Sequence, residues 1–166
     1  MIRPAGKWSG AEIGVLRGKT PSGIAWIFTK KHYRDYILAF DYRLSEGGNG
    51  SVGFGFPWRG GETKERPAYY GFECNLVEGN EQDLAGSLYD RARAYTSDLW
   101  RTPIHRPGKW NQSRIYVEGN RVVVYINRRK TADVRDARSP SGRIGFQSHD
   151  PSDWVESRNV RIKEVR

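Results

Sequence analysis

The chain has 166 residues and a formal net charge of +9, with 37% hydrophobic and 13% aromatic residues and 19 glycines. A chain of this length buries enough surface to fold without disulfides, and its single cysteine, Cys74, excludes an internal one. No segment approaches the ~20 apolar residues of a membrane span, and no signal peptide is evident. We therefore expect one domain over residues 1–166.

Apolar and polar residues alternate along most of the chain, as they do on strands that bury one face. In chain order, the predicted strands cover 13–16, 23–29, 36–44, 51–56, 69–76, 84–89, 110–117, 121–127, 143–149 and 155–165. No amphipathic helix is evident. About ten short strands predict an all-β protein in which two antiparallel sheets pack face to face, a β-sandwich or jelly roll.

The segment 69–76 is predicted to present a polar site. Its apolar side includes Cys74, which we interpret as a buried structural thiol. Its other side carries Glu73 and Asn75. A carboxylate and an amide two residues apart on one face are suited to a polar site on a sheet.

Two further strands carry polar side chains away from their apolar stripe. They are Asp41 and Arg43 on one strand, and Gln147 and His149 on the other. Each strand having an ordinary solvated side is one interpretation, and a shared site is the other. The aromatic residues Trp58 and Tyr89 near these strands favour the shared site, because aromatic faces stack on sugar rings.

The sequence disfavours several other kinds of site. It has no phosphate-binding loop, no His-Glu-x-x-His motif, no cysteine cluster and no serine elbow. Asp41, Glu73 and His149 could converge on a divalent metal ion, but alternation alone does not establish convergence. The basic residues are spread along the chain outside any RNA- or DNA-binding motif, so the positive charge does not favour nucleic acid.

Seven motifs in order resemble one family, the 3-keto-disaccharide hydrolase domain, a glycosyl hydrolase-like domain. They lie at 36–44 with 47–52, 70–75, 85–89, 107–111, 119–127, 144–149 and 158–164. The resemblance implies a concanavalin A-like jelly roll with a sugar site on its concave sheet. It also implies an extracytoplasmic location, as in many bacteria.

The resemblance carries over to particular residues. The family's Glu-x-Gln falls on Glu73 and Asn75, with the amide shortened, and its Gln-x-His falls on Gln147 and His149. Its acidic-aromatic-Arg motif falls on 41–43. Gly55 stands where the family often has arginine, and Asp90 where a glycine is usual, and both departures bear on substrate identity.

These residues predict cleavage of (3-keto-)glycosides by elimination and hydration. Glu73 and His149 would form the base–acid pair, and Arg43 or a divalent metal ion would stabilise the enolate. Asn75 and Gln147 would orient hydroxyl groups. Two alternatives stay open: a two-carboxylate glycosidase using Glu73 with Asp41, and a noncatalytic carbohydrate-binding module, including one for an anionic glycan.

Overall fold

The structure is a computed structural model that describes residues 7–21, 23–56, 70–77, 84–89, 104–136, 138 and 140–165. Eleven strands lie in these residues. They are β1 (Lys7–Glu12), β2 (Val15–Lys19), β3 (Ala25–Phe28), β4 (Tyr36–Leu44), β5 (Gly50–Phe56), β6 (Phe72–Asn75), β7 (Asn111–Glu118), β8 (Arg121–Ile126), β9 (Arg129–Arg135), β10 (Arg143–Ser148) and β11 (Val155–Glu164).

The strands form two antiparallel sheets. One has seven strands in the order β1-β2-β11-β4-β7-β8-β9, and the other has four in the order β3-β10-β5-β6. Alternate residues of the facing strands fill one core, including Leu38 and Phe40 from β4, Phe54 from β5, Phe72 from β6 and Phe146 from β10. The predicted all-β sandwich is confirmed.

The strands absent from the sequence prediction are β1 and β9, the two edges of the seven-stranded sheet. Their sequences, KWSGAE and RKTADVR, are mostly polar because an edge strand is partly solvated and carries little apolar alternation. The predicted strand 84–89 is reduced to a single bridge between Leu88 and Cys74. No helix in the described residues is long and apolar enough to cross a membrane.

A bulge near the end of β5 changes the face that one aromatic residue occupies. Gly55 has a φ of 71°, and the pairing of β5 with β10 shifts register there. The ring of Phe56 consequently stacks on Phe28 at 5.0 Å, while Phe54 remains in the core. Phe54 and Phe56, which regular alternation would place on one face, therefore lie on different faces.

Candidate functional site

A small polar pocket lies on the outer face of the four-stranded sheet. Its cavity volume is about 180 Å³. We call it the Glu73 pocket, and its lining residues are Ile24, Asn49, Ser51, Glu73, Asn75, Val77, Tyr89, Gln147 and His149. Five of the residues predicted from sequence are therefore brought together: Glu73, Asn75, Tyr89, Gln147 and His149.

Strand register explains why these side chains meet. Ser51 pairs with Asn75 on one side and with Gln147 on the other, so the three form a row across β6, β5 and β10. In the next row, Gly53 lies between Glu73 and Gly145. Directly opposed residues of antiparallel strands share a face, so both rows lie on the face of the sheet that carries the pocket.

Glu73 is the buried carboxylate of the pocket, with 8% of the residue exposed. Gln147, which is 3% exposed, donates a hydrogen bond from Nε2 to Glu73 Oε1 at 3.1 Å. Gln147 Oε1 has no hydrogen-bond partner among the described residues. An unpaired buried acceptor costs about 1–3 kcal/mol, so this oxygen is suited to receive a ligand hydroxyl.

Asn75 is fixed by the segment that follows β6. Its Nδ2 donates to Ser87 Oγ at 3.1 Å, and Ser87 Oγ donates to the Leu84 carbonyl at 2.7 Å. The backbone N–H groups of Gly86 and Tyr89 bond back to β6. The segment 84–89 therefore fixes Asn75 and the backbone of β6 through hydrogen bonds.

His149 lies at the rim, just beyond the end of β10. Its Nδ1 is 3.0 Å from Asp150 Oδ2, and 36% of its side chain is exposed. With Nδ1–H donating to that carboxylate, Nε2 carries the lone pair and is available for proton transfer. Sequence reasoning missed Asp150 because strand alternation assigns it to the opposite face, whereas β10 has already ended.

Aromatic rings extend the same face away from the pocket. Trp26 pairs with Gln147 in register, and its ring stacks on Phe28 at 5.6 Å. Phe28 in turn covers Gly145, so that a Cβ there would come within 2.5 Å of the ring. Sequence reasoning missed Trp26 because its segment shows no clear alternation. Trp58, the tryptophan selected from sequence, lies outside the described residues.

The structure does not bring Asp41 and Arg43 into this pocket. Both point outward from β4, in the opposite sheet, where Arg43 is bonded to Glu156 and Asp41 to Arg158. The hydrophobic core separates them from Glu73. Asp41 therefore does not converge with Glu73 and His149, which the sequence left open, and the prediction of Asp41 and Arg43 as residues of this site was wrong.

A metal site is not assembled from the described residues. Nowhere among them do three or more His, Cys, Asp or Glu side chains come close enough to hold an ion. Glu73 and His149 are the two such residues in the pocket lining, since Asp41 lies on the other sheet. Taken alone, the described residues around the pocket do not make up a protein-held divalent-ion site.

Cys74 lies on β6 between the two pocket residues, with its thiol in the core. It is fully buried, and this burial, with the neighbouring Glu73 carboxylate, raises the pKa of the thiol well above its usual range. A neutral buried thiol is not a nucleophile. The interpretation of Cys74 as structural is consistent with these features.

Fold and pocket together define a two-sheet β-sandwich domain with a polar site on its smaller sheet. The chain belongs to the 3-keto-alpha-glucoside-1,2-lyase-like domain family, whose model matches residues 3–163. The family resemblance seen in the sequence is confirmed. No curated protein sequence matches the chain significantly.

Solved structures with the same fold include proteins linked to carbohydrates. A "putative glycosyl hydrolase" from Parabacteroides distasonis is 20% identical with a TM-score of 0.78, covering 96% of this chain and 83% of its own. The carbohydrate binding module CBM66 from Bacillus subtilis is 19% identical with a TM-score of 0.72, covering 98% and 94%. The Emp47p carbohydrate recognition domain is 14% identical with a TM-score of 0.62, covering 98% and 88%. At these identities the likeness establishes the fold alone.

Proposed function

We propose that the domain cleaves 3-keto-glycosides in the Glu73 pocket by elimination followed by hydration. The observation that carries the proposal is the buried Glu73 carboxylate, held by Gln147 in the same cavity as the half-exposed His149. The family's description as 3-keto-alpha-glucoside-1,2-lyase-like supports the reaction class.

The chemistry starts from the acidity that a ketone at C3 confers on the hydrogen at C2. A base removes that proton, the C1–O bond breaks, and the glycosidic oxygen leaves with a proton from an acid. Water then adds at C1 and a proton returns to C2, so the net result is hydrolysis. One base–acid pair on one face of the sugar is sufficient for all of these transfers.

Glu73 and His149 supply that pair from different environments. Glu73 is enclosed, which suits a group that must meet a carbon acid away from water. His149 lies at the rim, where its Nε2 can exchange a proton with the leaving oxygen or with entering water, while Asp150 orients the ring.

The remaining pocket groups are neutral and suited to hydroxyl recognition. Asn75 is held by Ser87, Gln147 keeps its Oε1 as a free acceptor, and Ser51 lies between them in the row. With Arg43 on the other sheet, no guanidinium of the described residues lines the pocket, and the side-chain amides there are the candidate donors to the ketone oxygen.

A second candidate is a noncatalytic sugar-binding module. The half-buried rings of Trp26 and Phe28 favour it, because they form a stacking surface next to the polar row. Fold cannot separate the two candidates, since one sandwich supports both enzymes and binding modules.

Product formation from a panel of 3-keto-glycosides and their unoxidised parents tests the proposal. Cleavage confined to the keto forms is the expected result, and an added chelator should leave it unchanged. Loss of activity with chelator would refute the metal-free form of the chemistry. Binding of sugars without cleavage of either set would refute the enzyme and establish the module.

A further inference from the structure

The outer face of the seven-stranded sheet carries a wide groove unrelated to the Glu73 pocket. Two adjoining cavities of about 640 and 470 Å³ share Asp41, Gln112 and Arg128 in their linings. We call the combined feature the arginine groove, because five arginines line it: Arg106, Arg114, Arg128, Arg158 and Arg161.

Strand register places two of the arginines on either side of a small floor residue. Arg161 on β11 pairs with Ala39 on β4, and Ala39 pairs with Arg114 on β7. With neighbouring strands about 4.8 Å apart, the two arginine Cα atoms lie about 10 Å apart. Tyr125 pairs with Arg114 and continues the row on β8.

The charge of the groove is largely uncompensated. Its one lining carboxylate, Asp41, is already bonded to Arg158 at 3.3 Å and to Asn159 at 2.8 Å. Arg114 and Arg161, like Arg106 and Arg128, have no carboxylate within salt-bridge distance in the described part of the chain. The groove is therefore suited to a ligand that brings several negative charges.

A neighbouring cluster on the same face shows what a compensated arrangement looks like. Glu156, which is 1% exposed, accepts hydrogen bonds from Arg17 at 2.8 Å and from Arg43 at 2.6 and 2.9 Å. Those two arginines have a structural partner. Of the groove arginines, on β7, on β11 and in the segments that precede β7 and follow β8, only Arg158 has a carboxylate partner among the described residues.

Backbone conformation at the end of the groove points the same way. Asn127 and Arg128, which connect β8 to β9, have φ values of 47° and 70°. Asn-Gly is the favoured pair for such a turn, and an arginine in the left-handed region costs about 1 kcal/mol or more relative to glycine. Backbone strain retained at a residue that lines a cavity is typical of functional sites.

Aromatic side chains in the groove favour a sugar polymer over a simple anion. Trp110 lies under the Arg158 guanidinium, 3.9 Å from its ring centroid, and Tyr116 packs edge-on against Tyr125 at 5.7 Å. The groove crosses β11, β4, β7 and β8, about 15 Å at the usual strand spacing. Arginine forks match carboxylates in pairs of hydrogen bonds.

We propose that the arginine groove binds an acidic polysaccharide built from uronic acids, on the sheet opposite the Glu73 pocket. The arginines would pair with carboxylates, and the half-buried rings of Tyr116 and Tyr125 would contact the sugar. This inference does not depend on the proposed reaction. It gives part of the chain's net charge of +9 a specific location on the molecule.

The first experiment measures affinity for polygalacturonate by calorimetry at about 50 mM and 200 mM salt, with neutral dextran as the control ligand. Arg114→Gln/Arg161→Gln should weaken binding at least about tenfold. The matched control is Lys30→Gln/Arg34→Gln, which removes the same charge at exposed positions outside the groove. Equal losses in the two double variants would overturn the proposal, as would tighter binding of single-stranded DNA than of polygalacturonate.

The second experiment tests the groove floor without removing any arginine. Ala39→Glu places a carboxylate between Arg161 and Arg114 and should weaken polygalacturonate binding about tenfold. Ala39→Gln, of the same size but neutral, should weaken it much less. Equal effects of the two substitutions would mean that bulk alone matters, which contradicts an electrostatic site.

The third experiment uses the strained turn. Arg128→Gly should leave the unfolding midpoint unchanged or raise it, because Asn-Gly suits the turn, while polygalacturonate binding falls several-fold. A lower midpoint with unchanged binding would give Arg128 a purely structural role. Glu73→Gln should bind polygalacturonate like the unsubstituted chain, which separates failure of this inference from failure of the proposed reaction.

Discussion

The two outer faces of the sandwich follow the same strand geometry but have opposite chemistry. The Glu73 pocket is small, with a cavity of about 180 Å³ and a buried carboxylate that accepts a hydrogen bond from Gln147. The arginine groove is wide and carries exposed guanidinium groups. Enclosure makes a single ionisable group reactive, whereas exposure lets many charges act together but weakly. Size and burial therefore separate a candidate reaction site from a candidate recognition surface.

The largest expected effect is at Glu73. Glu73→Gln should lower turnover of a 3-keto-glycoside by about 10³-fold, or about 4 kcal/mol of barrier, because the carboxylate can no longer exchange a proton. Calorimetric unfolding should show an intact fold. Glu118→Gln, at an exposed position at the end of β7, is the matched control and should keep full turnover. Full turnover in Glu73→Gln would remove the pocket's catalytic role.

The next effect is a loss of folding stability at low pH, which would affect the Glu73 pocket and the arginine groove together. His105 is buried beside Tyr42, with 3.1 Å between Nδ1 and the hydroxyl oxygen, and burial lowers its pKa from 6.5 to about 4. The unfolded chain therefore takes up this proton first. The part of the folding stability that comes from keeping His105 buried and neutral is fully present above pH 6.5. It is lost as pH falls towards 4, by at most about 3 kcal/mol.

Denaturant unfolding at several pH values between 7.5 and 4 measures this loss. His105→Asn keeps a polar atom near the Tyr42 hydroxyl but does not titrate, so its stability should fall less steeply over the same range. Equally steep curves for both proteins would assign the acid sensitivity to other groups. The comparison also tells which part of any pH–activity profile is unfolding rather than titration at the Glu73 pocket.

A smaller effect is expected for the compensated cluster beside the arginine groove. Glu156→Gln leaves Arg17 and Arg43 without their shared carboxylate. Both arginines keep contact with water, with 42% and 29% of their side chains exposed, so the loss should be about 2 kcal/mol rather than that of a fully buried pair. Chemical denaturation measures it.

The matched control for that cluster is Glu164→Gln. Glu164 pairs with Lys31, and both side chains are more than half exposed. Its loss should change the unfolding free energy by less than about 0.5 kcal/mol. Similar losses at the two positions would show that enclosure does not distinguish the charges on this face.

The last effect is expected beside the Glu73 pocket, where the Phe28 ring covers Gly145. A Cβ at residue 145 would meet the Phe28 ring at 2.5 Å, so Gly145→Ala should displace that ring and cost about 1 kcal/mol of unfolding free energy. Sugar binding should weaken with it if the Phe28 ring contributes a stacking surface. Gly10→Ala is the matched control, because nothing lies within 4 Å of a Cβ there. Unchanged sugar affinity in Gly145→Ala would exclude the ring from the binding surface.

Strand alternation predicted which side chains avoid the core, but not which of the two outer faces they occupy. Glu73 and Gln147 were assigned outward and do meet, since β6 and β10 flank β5. Asp41 was also assigned outward, yet β4 belongs to the other sheet. The sheet to which a strand belongs depends on pairings between distant segments, which the local pattern does not contain.

The sequence prediction also lost information where regular structure ends. His149 and Asp150 come together because β10 stops at Ser148, and Phe56 changes face because of a bulge at Gly55. In each case the alternation of side chains between the two faces breaks at a single residue. Patterns averaged over a segment detect the strand but not the irregularity, and irregularities of this kind position site residues.

The placement of Cys74 on the same strand as Glu73 allows the opening of that strand to be followed by thiol labelling. It is the chain's single cysteine, on β6 at the edge of the four-stranded sheet, buried behind the pocket. A thiol reagent can modify Cys74 only when β6 detaches from the core, so the labelling rate measures how often this opening occurs. A sugar that binds Glu73 and Gln147 at once would connect β6 to β10 across β5, so it should lower the rate of Cys74 labelling.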